Sequence, residues 1–420
     1  MNEALSTDLE DLAQEIAEGR RALHQLPPEL DVAQQAGVRR RAAEIHAARL
    51  GDSELTLGNV AHFSLDAERA STQNCENFMG VAQIPMGLAG PLQVRGEEAD
   101  GSFFVPLATT EGALIASINR GCRAIAKSGG AVVRVEDVGM TRAPVFRTRG
   151  IEETQRFLGW VSEHEDDIRK LAEQESRFLK LQDIRPAIVG STVLLRFRFT
   201  TGDAMGMNMV TIACDRVVNL LEEKTGVECI ALSGNYCVDK KPSAVNFQLG
   251  RGKRIFAEVV LDRGTLATTL KTNAEALAEV QYRKNFLGSI SAGAMGYNAQ
   301  YANVLAALFV ACGQDLAHVV EGAMGVTCFE PREDGSVYAS VTLPDAPVAA
   351  VGGGTGLGTQ REALRALGIA ADAERPGAAA RKFAEIVGAT VLAGELSLMS
   401  AFTSRDLARA HEQLGRSKEP

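Results

Sequence analysis

The sequence predicts an α+β protein in which a small mixed unit interrupts a larger, helix-rich one, behind a helical N-terminal layer. Three observations predict it. The chain has 420 residues, beyond the ~250–300 at which one hydrophobic core stops growing. Residues 7–50 read as helix before the texture changes, near Asn77, to Gly and Pro punctuation. After Pro144 a helix, strand, helix, strand order describes a compact α+β unit set between two stretches of a longer pattern. The expected division is 1–79, then 80–143 with 232–420, and an inserted 144–231.

Each element has its own reason. Thr7, three residues before Glu10, offers a capping box, and VRRRAAEIHAARL closes the helical layer. IPMGLAGPL is turn punctuation, GSFFVPLAT a short strand, and EGALIASINRGCRAIAKSG a helix opened by Glu111. In the insert, a charged segment precedes one long strand (PAIVGSTVLLRFRF), a TGD turn, an apolar helix from Met207 to Glu223 and the strand VECIAL. Beyond Pro242 come the strand RIFAEVVL, helices at Ala274–Phe286 and Asn298–Cys312, a strand at Val337–Leu343, a glycine cluster and terminal helices.

Composition narrows the function classes. Content of 45% hydrophobic and 23% charged residues is that of a globular protein. A net charge of −9 argues against nonspecific affinity for nucleic acid or anionic membrane, so an anionic ligand needs a local basic cluster. The acidic start MNEALSTDLEDL lacks the basic residues of a secretory signal. The longest apolar run, Val304 to Cys312, is too short to span a bilayer. Seven cysteines form no CxxC and no close Cys/His set, so the expectation is reduced thiols, no metal and a cytoplasmic protein.

Six segments place polar residues among small apolar ones. CENFMG, with Glu76 and Asn77, is either a tight turn or a binding turn. PLATTEGALIAS carries Glu111, either a first-turn carboxylate or an acid. TGDAMGMNM holds Asp203 and Asn208 among methionines, either core filler or a helix start open to phosphate. SGNYCVDKKPSAVN sets Lys240 and Lys241 beside Asp239, either a solvated loop or an oxyanion site. Asn298, Asn303, Gln314 and Asp315 bracket the helix ANVLAALFVACG; such groups need partners if buried, and Asp315 can pair with a loop lysine. AVGGGTGLGTQ approaches a dinucleotide turn, but Thr359 stands where GxGxxG needs its third glycine.

In order, ENFMG, TTEGALIAS, GDAMGMNM, SGNYCVDKKPSAVN, GYNAQYANVLAALFVACGQD, VGGGTGLGTQ and LAGELSLMS resemble the catalytic portion of the 3-hydroxy-3-methylglutaryl-CoA (HMG-CoA) reductase family, from about residue 70 to 418. TTEG and DKK are spellings of its first class. The resemblance implies a ferredoxin-like, non-Rossmann cofactor unit at 144–231 and an HMG-CoA-binding domain ending in a C-terminal flap. It implies reduction of HMG-CoA to mevalonate by NADPH, with NADH the alternative reductant, in a dimer or tetramer whose sites lie between subunits. Lys240 matches the oxyanion-stabilising lysine, Asp315 its aspartate partner, Glu111 the proton donor, and His411 the acid for the CoA thiolate. Arg142, Ser233, Lys241, Asn303, Glu76, Asn77, Ser117 and Asn119 match substrate contacts. Asp203, Met207, Asn208, Met209, Gly353, Gly354, Thr355, Ser176, Arg177, Arg416 and Ser417 match cofactor contacts, Ser176 and Arg177 at the 2′-phosphate. Gln300 departs from a common histidine. The competing readings are mevalonate oxidation with NAD, a non-catalytic CoA-ester-binding homologue, and acyl transfer through a cysteine.

Overall fold

A computed structural model describes residues 7–404. Its strands are β1 (Met86–Arg95), β2 (Asp100–Ala108), β3 (Ala131–Arg142), β4 (Val145–Arg147), β5 (Lys180–Val189), β6 (Thr192–Thr200), β7 (Glu228–Ala231), β8 (Arg251–Leu261), β9 (Gly296–Tyr297), β10 (Gly325–Pro331) and β11 (Val337–Ala346). They join in a single ladder with two lobes. The larger lobe runs β2-β1-β3-β8-β11-β10-β9, and the smaller runs β5-β6-β4-β7.

Strand β3 belongs to both. Val132 to Gly139 pair with β8, and Met140–Arg142 then pair with β6. The hand-over sits at Gly139, whose φ is +78° and where a Cβ would meet the carbonyl of Phe199 at 2.6 Å, so a side chain is excluded twice over. The smaller lobe is antiparallel throughout, in the chain order β-α-β-β-α-β with helices Ile151–Glu163, Glu165–Glu173 and Met207–Thr225. That is the ferredoxin-like arrangement. Phe146, Phe157, Phe197, Phe199 and Val217 fill its own apolar cluster.

The larger lobe is organised by the helix Ala378–Ser404. Phe383, Ile386, Val387, Val391, Leu392, Leu396 and Met399 are fully buried, and apolar residues face every direction, as in a helix wholly inside a core. Its segment Ala378–Thr403 is long and apolar enough to cross a membrane, yet 83% of the apolar window is buried within the fold. It holds no long uninterrupted apolar run, because Arg381, Lys382, Glu385 and Glu395 break it. The two carboxylates accept backbone N–H groups. Glu385 accepts the N–H groups of Glu97, Glu98 and Ala99, fixing the β1–β2 turn, and Glu395 accepts those of Ala299 and Gln300 at the start of helix Tyr301–Cys312.

Several expected elements are redrawn. The capping box forms at Asp31 and Gln34, opening helix Val32–Arg49, whereas the first helix begins at Thr7 itself and ends at Ala17. Residues 84–92, read as turn punctuation, run into strand β1, which tolerates Pro91 because the register shifts between Ala89 and Leu92. The single long strand at 186–199 is the β5–β6 hairpin, folded at Gly190 with φ +60°. Strands β3, β4, β9 and β10 have no counterpart among the expected elements, and the helix expected through Phe286 becomes π-helical from Gln281.

Helix Leu114–Lys127 crosses the long helix at Gly121, where a Cβ would fall on the carbonyl group of Ala393. Gly121→Ala gains ~1 kcal/mol of helix propensity but overpacks a contact between two backbones, a change costing ~1–3 kcal/mol or more. The substitution is expected to lower the thermal midpoint; an unchanged or raised midpoint would show that the crossing can relax.

Candidate active site

The loop from Ser233 to Ser243 is held in an uncommon backbone conformation. Asn235, Val238 and Lys240 all have positive φ (61°, 49° and 58°), and a β-branched residue in that region is costly. Tertiary contacts compensate. Thr141 Oγ1 donates to the carbonyl of Cys237, Asn246 Nδ2 donates to that of Val238, and Gly234 N donates to that of Ala143. The loop presents Lys240, whose ammonium lies 2.8 Å from Asp315 Oδ2, the pairing open to Asp315 from its place after the apolar helix. Burial opposes ionisation of Asp315, but Lys240 and His318 outweigh it, and its pKa lies below the ordinary value. Lys241 is exposed and donates to the Asp239 carbonyl.

Beneath the pair lies a buried charged layer. The Arg251 side chain, wholly inaccessible, donates to Asp239 Oδ1 at 2.7 Å and to Glu321 Oε1 at 2.6 Å. Its remaining contacts are Thr141 Oγ1 and Met207 Sδ. His318, equally inaccessible, has Nε2 3.5 Å from both Asp239 Oδ1 and Asp315 Oδ2, and Nδ1 3.3 Å from Glu321 Oε1. Asp345 faces Glu321 and accepts from Asn246 Nδ2 at 2.8 Å. Burial, and then Arg251, push the His318 imidazole down to about 4. Burial lifts Glu321 to about 7 against the pull of Arg251, and burial with Glu321 holds Asp345 well above the ordinary carboxylate range. The ligand atoms of Asp239, His318 and Glu321 lie within 4.8 Å of one another, a spacing a metal ion can use. The Arg251 guanidinium already bridges the two carboxylates, so the cation there is the protein's own.

Three of the segments expected at a dinucleotide meet near this layer. Asp203 accepts the Ala350 N–H through its carbonyl and the Ala380 N–H through its carboxylate, tying the TGD loop to the glycine turn and to the long helix. The Ser176–Arg177 turn lies alongside, since a Cβ at Gly202 would touch Phe178 at 3.5 Å. Arg177 stacks on the Phe178 ring. Gly353, Gly354 and Thr355 form a single helical turn that packs so closely on Gly313 that a Cβ there would strike the Gly354 carbonyl. Gly313 is two residues from Asp315. Helix Met207–Thr225 starts behind Gly206 with no side-chain cap. Met207 is buried on Arg251, Met209 packs into the small core, and Asn208 is exposed.

The remaining candidates divide. Arg142 Nη2 donates to Thr211 Oγ1, and Ser233 lies 3.5 Å from Cys237 Sγ, both beside the lysine loop. Glu111 lies elsewhere, accepting from Asn303 Nδ2 at 3.4 Å. It precedes helix Leu114–Lys127 by a turn through Ala113 (φ +71°), so it is not the first-turn carboxylate expected from sequence. Ser117 donates to Ser397 Oγ, and Asn119 accepts the Gly90 N–H, both therefore engaged in packing. Glu76 and Asn77 sit in an exposed turn anchored by Arg39 and Arg40, which donate to the carbonyls of Phe78 and Met79. Gln300 is buried, with its amide on the Gly394 carbonyl. His411, Arg416 and Ser417 lie outside the described residues.

Sequence reasoning missed Arg251, His318, Glu321, Asp345 and the half-buried Lys284, whose ammonium is 3.5 Å from the Asn298 carbonyl. One signal was available: Asp315, His318 and Glu321 recur at intervals of three, the spacing that places side chains on one face. Arg251 and Asp345 carry no comparable mark.

Comparison with known proteins follows the same outline. The sequence profile of the family described as hydroxymethylglutaryl-coenzyme A reductase matches residues 37–416. The 3-hydroxy-3-methylglutaryl-coenzyme A reductase of Methanothermobacter thermautotrophicus is 51% identical over 403 residues, covering 96% of this chain and 98% of that protein. The namesake from Pyrococcus abyssi is 46% identical over 97% of this chain and 100% of its own length. An enzyme of the same name from Cannabis sativa is 39% identical, covering 99% of this chain and 71% of that protein. Among solved structures, the class II enzyme of Streptococcus pneumoniae bound to NADPH shares the fold with a TM-score of 0.65 at 19% identity, over 93% of this chain and 96% of that one.

Removing one partner from a buried ion cluster strands the others, at a cost of ~3–5 kcal/mol. Arg251→Met is expected to lose stability on that scale in denaturant unfolding, and Arg251→Met combined with Glu321→Gln to recover part of it. Equal losses in the single and double variants would mean that the guanidinium acts through shape alone.

Proposed function

The chain belongs to the hydroxymethylglutaryl-coenzyme A reductase family, and from that premise we propose that it reduces HMG-CoA to mevalonate and CoA through two successive hydride transfers from NADPH, in the mevalonate route to isoprenoids. The observation that carries this reading is the placement of the Lys240–Asp315 pair two residues from a glycine on which the Gly353–Thr355 turn rests. NADPH supplies the hydride. The groups that fit it are the turn at 353–355, the uncapped helix start at Met207, and Ser176 with Arg177 for the 2′-phosphate. That last pair favours NADPH over NADH. The first-class assignment rests on TTEG and DKK, and on 39–51% identity to archaeal and plant relatives against 19% to class II structures.

In this reading Lys240 faces the thioester oxygen as it becomes an oxyanion, and Asp315, 2.8 Å away, keeps the ammonium aimed. Arg142, Ser233, Lys241 and Asn303 hold the substrate carboxylate, with Glu76, Asn77, Ser117 and Asn119 toward CoA. Glu111 donates the proton to the second alkoxide, and His411 protonates the departing thiolate. Burial pushes the thiols of Cys122 and Cys312 up to about 12, which disfavours those two as nucleophiles for acyl transfer.

The site is shared between subunits. Glu111 bonds Asn303 near one end of helix Tyr301–Cys312, while Lys240 pairs with Asp315 beyond the other. Twelve helical residues span ~18 Å, too far for both groups of one chain to reach one carbon. A twofold-related neighbour brings them together.

Lys240→Ala is expected to lower kcat by ~10²–10³, read as NADPH absorbance loss with HMG-CoA in the wild type and variant. Mixing refolded Lys240→Ala and Glu111→Gln subunits should restore about a quarter of wild-type activity, since half the dimers are mixed and one of their two sites is intact. No recovery on mixing would place the whole site within one chain. His411→Gln should cripple reduction of HMG-CoA yet largely spare supplied mevaldehyde, which releases no thiolate. Equal losses on both substrates would remove His411 from that role.

A further inference from the structure

The layer under Lys240 contains more ionisable groups than the chemistry above uses, and the geometry gives one of them a task. We propose that His318 is a positioning residue, a neutral imidazole whose Nε2–H is held between Asp239 and Asp315 so that the two carboxylates flanking Lys240 stay fixed. This rests on the reading of Lys240 and Asp315 as the oxyanion couple.

Four observations carry it. Nε2 is equidistant, at 3.5 Å, from Asp239 Oδ1 and Asp315 Oδ2, and the latter oxygen also accepts Lys240. The other Asp315 oxygen takes the Ala317 N–H, so His318 and Lys240 together decide where Oδ2 points. The ring has no exposed surface, and both its nitrogens, with Glu321 Oε2 and Asp345 Oδ1, lack a protein hydrogen-bond partner within good geometry. Buried polar atoms seldom remain so, and contacts to a ring at 3.3–3.5 Å shorten when a loop closes on substrate. Finally, burial, with Arg251 on β8 and Lys240 on the loop, opposes a second proton on the ring more than Asp315 and Asp239 favour it; those two carboxylates face Nε2, while Glu321, which burial lifts to about 7, faces the lone pair of Nδ1, with Asp345 on β11 behind it.

A donor aimed at a carboxylate lowers its pKa, and a misplaced catalytic group costs on the order of 10²-fold in rate. His318→Leu removes the donor, while His318→Gln supplies an amide N–H of similar reach that cannot titrate. His318→Leu is expected to lower kcat ~10- to 100-fold with little change in either KM. It should also move the acid limb of the kcat profile up by about one pH unit, as Asp315 becomes easier to protonate. His318→Gln should restore both the rate, to within about threefold, and the position of the limb.

A purely structural role predicts loss of folded enzyme at every pH with the limb unmoved, and that result overturns the proposal. So does a Gln variant as impaired as the Leu variant while its thermal midpoint matches wild type. Imidazole ¹⁵N resonances of the resting wild-type protein give a readout independent of turnover: His318 is expected to carry one proton, on Nε2, at pH 6. A doubly protonated ring or an Nδ1–H tautomer there refutes the assignment. Absence of wild-type activity on HMG-CoA would instead refute the functional reading on which the proposal stands.

Discussion

The candidate site depends on one desolvated guanidinium. Arg251 has no contact with solvent, and a charge in that position is tolerable only because Asp239 and Glu321 lie at 2.7 and 2.6 Å. These two partners come from distant parts of the chain, the lysine loop and the turn of helix after Asp315. Arg251 itself opens β8 between two glycines of positive φ, Gly250 and Gly252. At Gly252 a Cβ would strike the backbone of Pro347 at 2.7 Å, so the strand start, the end of β11 and the loop must pack together before the charge can be matched. The strained backbone at Val238 and Lys240 is sustained by the same cluster, which binds the loop from beneath through Asp239 and Asn246.

A second theme is the use of carboxylates as backbone clamps around the long buried helix. Glu385 closes the β1–β2 turn, Glu395 seats the start of helix Tyr301–Cys312, and Asp203 holds the start of the long helix against the TGD loop. Burial raises the pKa of Glu395, offset in part by Thr327 and by the amides it accepts. The Glu395 and Asp203 clamps tie segments carrying candidate site residues to the buried helix, and such anchoring keeps a binding group within the narrow tolerance that catalysis needs. The helix is thus apolar enough for a bilayer by composition, while its few charges are spent on the interior of the protein.

The candidate site is divided along helix Tyr301–Cys312. Glu111 and Asn303 meet near its start, and the Lys240–Asp315 pair, the TGD loop and the glycine turn gather beyond its other end. The proposed assembly follows from that separation, since a symmetric partner is what would unite the two groups. In the two-lobed sheet β3 passes from one lobe to the other at Gly139, which fixes the TGD loop relative to the lysine loop.

By itself the sequence determined the α+β class, the family and the segments from which the candidate site is drawn, and through the family resemblance it implied the ferredoxin-like insert. Those features are written in local signals: period, capping, Gly and Pro, and motif spelling. It also allowed Asp315 to be paired with a loop lysine, because a charge after so apolar a helix requires a partner. Local signals misled where a residue's setting is set by distant neighbours. Glu111 looked like a helix-opening carboxylate but lies a turn before the helix, and 84–92 looked like turns because Gly90 and Pro91 mask a strand that only pairing with β2 reveals. What tertiary structure alone decided is the charged layer of Arg251, Glu321, Asp345 and His318, and the separation of Glu111 from Lys240. The physical reason is that burial and charge matching are properties of space: nothing in the text of a chain marks an arginine as inaccessible until β8, β11 and the lysine loop have closed around it.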